Sequence, residues 1–289
     1  VGVGGRARGG ARVCAVRMGG GDAVVVAGAT GRTGRLVFAR LQAMGVPVLG
    51  MVRSAGKAGE VLGDGAAVVE ADVRDAESLD RAMAGGAKAL VVLTSATPER
   101  DADGGFRYPE GGTPQEVDWY GGKAVVDAAV EARVPRVVVV GSMGSTDVNH
   151  PLNKIGNGNI LRHKRRLQEY LIEQADKSAG ALKYTIVNPG GLTNDLGGQR
   201  ELVVGKADDL FEMMVAGGQG TVTVSREDVA EVVVQAVAGP AADKAANKCF
   251  DLGSIEKSHT GGTTDFAALF DKTTPGLVPT GETAQAAGG

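Results

Sequence analysis

The sequence predicts an α/β protein built on a doubly wound parallel sheet. Short Val-rich apolar runs alternate with amphipathic, helix-like stretches from residue 23 to residue 189. This alternation is typical of βαβ units whose helices cover both faces of a parallel sheet. The first apolar run also leads directly into a turn with three evenly spaced glycines and then into a helical stretch. Doubly wound domains often begin in this way.

The predicted strands are nearly continuous in apolar residues, as expected for strands that are buried on both faces. They span residues 23–27, 46–52, 66–70, 87–93, 136–141 and 183–187. The predicted helices between them span residues 32–44, 76–84, 116–132 and 158–177. With right-handed crossovers, this succession gives the doubly wound arrangement.

After residue 190 the rhythm is less regular, which predicts a small, irregular C-terminal lobe. Residues 200–204, 221–224 and 249–252 are predicted strands, and residues 226–237 and 265–273 are predicted helices. Residues 97–114 contain three prolines and several glycines, and we predict neither strand nor helix there. This segment either lines a ligand crevice at the carboxyl edge of the sheet or is a surface insertion without a role.

Composition and charge exclude several classes of protein. The 289 residues include 31 Lys and Arg against 34 Asp and Glu, a formal net charge of −3. The basic excess of a general nucleic-acid-binding protein is therefore missing. The longest apolar runs have the length of a strand, which argues against a membrane span. Cys14 and Cys249 are the two cysteines, and since their spacing fits no zinc motif we expect neither a metal site nor a disulfide framework.

The two ends of the chain differ in composition from the body. Residues 1–21 contain four Arg and eight Gly but no acidic residue, which is typical of an organelle transit peptide. The alternative is a Gly-rich tail without a targeting role. We predict that residues 22–274 form the folded doubly wound domain, with its C-terminal lobe starting at about residue 190. Residues 275–289 are predicted to be a flexible tail.

The glycine turn is the strongest motif and reads Gly-Ala-Thr-Gly-Arg-Thr-Gly over residues 28–34. Its first glycine permits a tight turn, its second lets a pyrophosphate approach the backbone, and its third lets the helix pack closely on the strand. Free N–H groups at the start of the helix would face the phosphates. The alternative is a packing turn without a ligand. The predicted dinucleotide contacts in this turn are Gly28, Thr30, Gly31, Arg32, Thr33 and Gly34.

The end of the second strand indicates which dinucleotide binds. NAD-binding proteins usually place Asp or Glu there, where it accepts a hydrogen bond from the ribose 2′-hydroxyl. This sequence has Arg53 instead, and Arg32 in the glycine turn is close enough to join it. Two guanidinium groups suit a 2′-phosphate, so we predict NADP(H) as the cofactor. The alternative is that both arginines are solvated surface charges.

Residues that follow the third and fourth strands complete the predicted cofactor site. Asp72 and Val73 follow the third strand, which places them near the adenine in this topology. Leu93, Thr94 and Ser95 follow the fourth strand and are expected to line the ribose side. These placements depend on topology alone.

Motifs along the chain resemble those of atypical short-chain dehydrogenase/reductases, in the NmrA-like and plant-type NAD(P)-binding group. They are GATGRTG at 28–34, VRS at 52–54, QEVDW at 115–119, VVVGSMG at 138–144, HPLNKIGNGNI at 150–160, PGGL at 189–192, ELVVG at 201–205 and REDVA at 226–230. The resemblance covers about residues 22–272 and implies an extended Rossmann fold that binds NADP(H). It also implies that Pro189 and Gly190 border the nicotinamide. Together with the N-terminal segment, the plant-type motifs predict a location in the chloroplast stroma.

The resemblance fails at the catalytic pair. Active short-chain reductases carry Tyr-x-x-x-Lys on the helix after the fifth strand, where the Tyr protonates the substrate and the Lys lowers the pKa of that Tyr and holds the ribose. Lys164 occupies the Lys position, but Ile160 occupies the Tyr position. Ser142 matches the family's catalytic Ser. The resemblance thus implies Ser142 and Lys164 as catalytic residues. The alternatives are that the Lys164 amine reaches solvent and that Ser142 only caps a loop.

Three functions are compatible with these features. The first, which we predict, is an NADPH-dependent reductase acting on a small plastid metabolite, in which a water replaces the absent Tyr as proton donor. The second is a non-catalytic NADP(H)-binding redox sensor or a structural subunit of a plastid protein complex. The third, plastid RNA binding, is disfavoured by the acidic balance and the single Trp.

Overall fold

The computed structural model describes residues 21–216, 222–255 and 261–277. The predicted transit segment therefore lies outside the described residues apart from Gly21. Most of the predicted C-terminal tail, from residue 278 onward, also lies outside them. The predicted division into a domain of residues 22–274 and two terminal segments stays a prediction.

The described residues contain twelve strands. In chain order they are β1 (Val24–Ala27), β2 (Val48–Val52), β3 (Val68–Glu70), β4 (Ala89–Val92), β5 (Glu99–Arg100), β6 (Phe106–Arg107), β7 (Arg136–Val140), β8 (Lys183–Pro189), β9 (Gly191–Thr193), β10 (Glu201–Gly205), β11 (Thr223–Ser225) and β12 (Lys248–Ile255). Ten of them form one sheet, while β5 and β6 pair with each other as an antiparallel hairpin.

The strand order in the large sheet is β3-β2-β1-β4-β7-β8-β12-β11-β9, and β10 also pairs with β12. The strands from β3 to β12 in this order run parallel, whereas β10 and β11 are antiparallel to β12. The chain moves outward from β1 to β3 and then returns to β4 on the other side of β1. The loops after β1 and β4 therefore separate and leave a crevice at the carboxyl edge of the sheet. The predicted doubly wound α/β fold is confirmed.

Nine α-helices lie within the described residues. They are α1 (Gly34–Ala43), α2 (Ala55–Leu62), α3 (Ala76–Met83), α4 (Gly122–Glu131), α5 (Pro151–Lys154), α6 (Ile160–Lys177), α7 (Asp209–Ala216), α8 (Arg226–Ala238) and α9 (Phe266–Asp271). A π-helix, Gln115–Gly121, runs into α4, and single 3₁₀ turns occur at Ile155–Asn157 and Ala242–Ala245. None of the helices in the described part of the chain is both long enough and apolar enough to cross a membrane.

The hydrophobic core lies in two layers, one on each face of the sheet. Val24 and Val26 of β1 pack in the layer that contains α1 and α8, whereas Val25 and Ala27 pack in the layer that contains α3, α4 and α6. Because alternate side chains of a strand point to opposite faces, a strand covered on both sides must be apolar at every position. This requirement produces the Val-rich runs in the sequence.

Three differences from the sequence-based expectations have local causes. The sequence pattern does not reveal α2, because its two glycines, Gly56 and Gly59, weaken the helical signal and Ala58 is its one buried residue. The prediction that residues 97–114 contain no strand is wrong, since β5 and β6 lie there. The predicted helix over residues 116–132 begins as a π-helix. Gly121 and Gly122 sit there against Val73 and Leu167, and a Cβ at either glycine would collide with those side chains.

Candidate functional site

The glycine turn between β1 and α1 is shaped by close backbone contacts. Gly28 has a φ of +83°, and a Cβ at this position would lie 3.1 Å from the Leu93 carbonyl carbon and the Thr94 nitrogen at the end of β4. A Cβ at Gly34 would overlap the Gly28 carbonyl oxygen, so α1 starts directly against the turn. Packing alone therefore requires glycine at positions 28 and 34.

The N-terminal end of α1 has no side-chain cap, a property that it shares with α2 and α6. Thr33 makes no side-chain capping hydrogen bond, and the first turn of α1 carries no acidic side chain. By contrast, the Asp75 side chain caps α3 and the Ser225 side chain caps α8. Uncapped N–H groups and the positive end of the helix dipole favour an anion at this position. The turn therefore has the properties of a phosphate-binding site.

A cleft of about 430 Å³ opens beside the turn, at the carboxyl ends of β1 to β4. This volume falls within the roughly 300–1,000 Å³ range of small-molecule and cofactor sites. The cleft brings together the predicted cofactor residues Gly28, Thr30, Gly31, Arg53, Asp72, Val73, Leu93, Thr94 and Ser95. Its other lining residues are Met51, Val52, Ala71, Arg74, Ala96, Thr97, Glu99, Pro109, Gly111, Gly112 and Val117. The segment 97–114 therefore lines the crevice, which was one of its two predicted roles.

Arg74 lines the cleft but was not among the predicted site residues. Its guanidinium donates to Asp72 at 2.9 Å and 2.5 Å, and its Nη1 donates to the Gly111 carbonyl at 2.7 Å. The hydrogen bond from Arg74 lowers the pKa of Asp72. Arg74 thus connects the loop after β3 to the segment 97–114 across the cleft. The sequence does contain a signal for this contact, because Arg74 is a basic residue two positions after Asp72, the carboxylate predicted to lie near the adenine.

The two predicted phosphate-binding arginines occupy different places. Arg53 lines the cleft, whereas Arg32 does not. Arg32 is exposed and near Arg226 of α8, whose pKa is lowered mainly by burial and further by the charge of Arg32. Arg226 itself donates to the carbonyls of Leu192 and Thr193. Arg53 is therefore the arginine best placed to receive a ribose phosphate in the cleft.

Ser142, Pro189 and Gly190 lie at neighbouring strand ends on the same edge of the sheet. The Met143 N–H donates to the Pro189 carbonyl at 3.0 Å, which joins the end of β7 to the end of β8. The Ser142 hydroxyl donates to the Met143 carbonyl, also at 3.0 Å. Since β7 and β8 are two and three strand positions from β1, Ser142 lies about 10 Å, and Pro189 and Gly190 about 14 Å, along the edge from the glycine turn.

Lys164 forms an ion pair with Asp118 of the π-helix and is mostly buried. The Lys164 Nζ lies 2.8 Å from Asp118 Oδ1, and the two side chains are 13% and 1% exposed. Asp118 Oδ2 also accepts a hydrogen bond from the Ala96 N–H at 2.9 Å. Because Ala96 lines the cleft, this ion pair stands directly behind the cleft wall. Asp118 belongs to the QEVDW segment at 115–119, but nothing in the sequence pattern pairs it with Lys164.

Several predicted site residues are not brought into the cleft. Arg32, Thr33, Gly34, Ser142, Lys164, Pro189 and Gly190 lie outside its lining. Thr33 and Gly34 follow the lining glycines in the turn. The residues at the ends of β7 and β8 and in α6 lie farther along the same sheet edge; they are Ser142, Lys164, Pro189 and Gly190. In the described ranges, no cluster of three or more His, Cys, Asp or Glu side chains could hold a metal ion.

Comparison with known proteins identifies the family. The family described as NAD(P)H-binding matches residues 28–240. The chain belongs to this NAD(P)H-binding family. It is 37% identical to sanguinarine reductase of Eschscholzia californica over 278 residues, which cover 87% of this chain and 96% of that enzyme. The predicted resemblance to atypical short-chain dehydrogenase/reductases is confirmed.

Two further relatives are named as chloroplast proteins. An uncharacterised chloroplastic protein of Arabidopsis thaliana is 40% identical over 261 residues, covering 87% of this chain and 75% of that protein. Protein TIC 62 of Arabidopsis thaliana, also named chloroplastic, is 30% identical over 237 residues, covering 73% of this chain and 33% of TIC 62.

Solved structures share the fold of this NAD(P)H-binding family member. A putative NAD-dependent epimerase/dehydratase of Bacillus halodurans has a TM-score of 0.64 at 24% identity, covering 87% of this chain and all of that chain. A wide-type short-chain dehydrogenase/reductase of Veillonella parvula in complex with NADP has a TM-score of 0.55 at 17% identity, covering 83% of this chain and 97% of that chain. These likenesses establish the Rossmann-like fold.

Proposed function

We propose that this protein is an NADP(H)-dependent reductase of a small organic molecule in the chloroplast. The observation that carries the proposal is the position of Arg53, at the end of β2 and in the cleft beside the glycine turn. An acidic residue at this place would select the 2′-hydroxyl of NAD, whereas an arginine suits the 2′-phosphate of NADP. The similarity to sanguinarine reductase across nearly that enzyme's whole length supports reductase chemistry.

The residues of the cleft fit a dinucleotide. The Cβ-free surface of the glycine turn and the open start of α1 would hold the pyrophosphate, and Arg53 would hold the 2′-phosphate. Asp72 and Val73 would border the adenine, while Thr94 and Ser95 would face a ribose. When bound, NADPH supplies a hydride. Pro189 and Gly190 would then border the nicotinamide at the end of β8.

Ser142 and Lys164 are the polar groups nearest to that end of the site. The Ser142 hydroxyl is half-buried and can rotate from the Met143 carbonyl toward a substrate oxygen. The Lys164 ammonium, held by Asp118, places a paired positive charge behind the cleft wall. We propose that Ser142 orients the acceptor and that Lys164 contributes to the ribose side. The chloroplast location is supported by the chloroplastic relatives.

A second candidate function is cofactor binding without turnover. Ile160 favours it, because this residue stands at the first position of α6, where active short-chain reductases carry the proton-donating Tyr. The match to part of TIC 62 is compatible with a role inside a larger assembly. Such a protein would bind NADPH tightly and oxidise none of it.

The test combines binding and turnover in the full chain. NADPH and NADH binding are followed by nucleotide fluorescence, and NADPH oxidation is followed by absorbance with a panel of quinones, aldehydes and enones. We expect NADPH to bind more tightly than NADH and to be oxidised by at least one acceptor. Tight binding without oxidation by any acceptor would establish the second candidate, and failure to bind either dinucleotide would refute both.

A further inference from the structure

Arg74 joins two walls of the cleft that are distant in the sequence. It lies in the loop after β3, and its guanidinium reaches both Asp72 in the same loop and Gly111 in the segment 97–114. Nε and Nη2 donate to the two carboxylate oxygens of Asp72, and Nη1 donates to the Gly111 carbonyl. An exposed ion pair stabilises a fold little by itself, but a bidentate pair fixes the orientation of both groups. All three residues line the cleft, so this orientation also fixes part of the cleft wall.

The contact with Arg74 makes Asp72 a fixed acceptor in the cleft. The backbone N–H of Arg74 also donates to Asp72 Oδ1, at 3.0 Å, so three N–H groups of one residue hold the carboxylate. The hydrogen bond from the guanidinium lowers the pKa of Asp72, which is therefore ionised at neutral pH. Within the described part of the chain, Asp72 Oδ2 accepts only the bond from Nη2 and so keeps a second acceptor position. An amino group of a ligand in the cleft is the complementary donor.

The contact with Gly111 holds a turn of the segment 97–114 in place as a wall of the cleft. Pro109, Gly111 and Gly112 line the cleft, and the Gly112 N–H closes the turn on the Pro109 carbonyl at 2.9 Å. Gly111 has a φ of +69°, and a Cβ there would lie 2.7 Å from Arg74 Nη1. Glycine is therefore required at this position both by the backbone conformation and by the approach of the guanidinium.

We propose that Arg74 is a positioning residue for the adenine of the bound dinucleotide. It orients the Asp72 carboxylate toward the amino group of the base, and it holds the turn at 109–112 as the wall beside the base. The inference rests on the proposed binding of NADP(H) in this cleft, and it adds which residue makes the cleft selective for adenine. NADPH and NADH carry the same adenine, so Arg74 acts on both, whereas Arg53 acts on the 2′-phosphate of NADPH alone.

The first arm of the test measures dinucleotide affinity by nucleotide fluorescence in Arg74→Gln, Arg74→Lys and the control Arg81→Gln. Arg81 is an exposed arginine of α3 that pairs with Glu77. We expect Arg74→Gln to raise the Kd of NADPH and of NADH by the same factor, about 5- to 50-fold, the usual range for lost hydrogen bonds to a charged group, while Arg81→Gln changes neither. Lys keeps the charge but cannot make the bidentate contact, so it should not restore affinity. Full restoration by Lys, or a loss confined to NADPH, would overturn the inference.

The second arm measures selectivity for the base. Reduced nicotinamide hypoxanthine dinucleotide phosphate carries a carbonyl oxygen where NADPH carries the amino group of adenine, and this oxygen cannot donate to Asp72. We expect the unaltered chain to bind NADPH about 10- to 100-fold more tightly than this analogue, and we expect Arg74→Gln to lose most of that preference. A purely structural role of Arg74 would weaken the binding of both dinucleotides equally. An unchanged preference in Arg74→Gln would therefore refute the positioning role.

The third arm displaces the Arg74 guanidinium without changing any charge, by comparing Gly111→Ala with Gly104→Ala. Both glycines lie in the segment 97–114 and have a positive φ, +69° and +81°, so alanine strains the backbone at both. A Cβ meets Arg74 only at position 111, since at position 104 nothing lies within 4 Å. Gly111→Ala should weaken NADPH binding and reduce the preference for adenine, while Gly104→Ala should do neither.

The outcomes separate the inference from the proposed function. Equal binding by the two glycine variants and the unaltered chain would overturn the role of Arg74 and leave the proposed function standing. If the unaltered chain binds neither NADPH nor NADH, the proposed function fails and the inference fails with it. Thermal unfolding followed by circular dichroism shows whether each variant is folded at the temperature of the titration.

Discussion

Asp251 of β12 is a buried carboxyl group with a second carboxyl nearby. It is 3% exposed, and its Oδ2 accepts a hydrogen bond from the Asp208 N–H at 2.6 Å. Burial, followed by the negative charge of Asp208, raises the pKa of Asp251 from 3.8 to about 7. We predict that Asp251→Asn stabilises the fold at alkaline pH, because the amide keeps an oxygen acceptor for the Asp208 N–H and carries no charge.

The sign and size of the effect follow from the two pKa values. In the unfolded chain Asp251 loses its proton near 3.8, whereas in the folded chain it keeps the proton up to about pH 7. The folded state therefore binds the extra proton in this window, and the free energy of unfolding falls as the pH rises through it. Above the window the buried charge costs up to about 4 kcal/mol, at about 1.4 kcal/mol per pKa unit.

The assay is urea unfolding followed by circular dichroism at acidic and alkaline pH. The variant Asp80→Asn, at an exposed position of α3, is the control for removal of one carboxylate. We expect Asp251→Asn to gain about 2–4 kcal/mol at pH 8 and close to nothing near pH 4, while Asp80→Asn gains little at either pH. An equal gain at both pH values, or a loss at pH 8, would refute the reasoning.

Three further predictions concern the cofactor site and the ion pair behind it. Arg53→Gln should weaken NADPH binding by about 10- to 100-fold and leave NADH binding unchanged, whereas the exposed Arg81→Gln on α3 should change neither in a fluorescence titration. Gly34→Ala should lower both the thermal stability and the dinucleotide affinity, because its Cβ overlaps the Gly28 oxygen; a normal Tm with normal binding would contradict this packing argument. Lys164→Met should lower the free energy of unfolding in urea by about 3–5 kcal/mol, because Asp118 is left charged and unpaired. Adding Asp118→Asn should restore much of that loss. A purely steric effect of Met would not be relieved by this second substitution.

The parts of the fold that the sequence predicts well are those with a local physical cause. Burial on both faces makes β1, β2 and β4 almost continuously apolar, so their positions are visible in the sequence. The glycine turn is equally visible, because close contacts with the end of β4 and with its own first residue require glycine. For the same reason nine residues that line the cleft could be named from the ends of successive strands.

The parts that escaped prediction depend on contacts between distant segments. Asp118 and Lys164 are far apart in the sequence and meet because the π-helix packs against α6. Arg74 meets Gly111 across the cleft only once the segment 97–114 has folded over it. No periodicity or spacing in the sequence indicates long-range contacts of this kind. The hairpin of β5 and β6 is similarly invisible, because each strand has two residues.

The difference between features with a local cause and features that depend on long-range contacts also explains how the family motif and the missing tyrosine can coexist in one protein. The part of the cleft that is proposed to hold the cofactor is built from loops that directly follow β1 to β4, so a local motif preserves it. Beside it, the loop after β4, the π-helix and the first turns of α6 meet around the carboxylate of Asp118, which accepts a hydrogen bond from the Ala96 N–H and pairs with Lys164. These elements are distant from one another in the sequence and from the glycine turn. A change at the first position of α6, such as Ile160, therefore leaves the motif of the glycine turn intact.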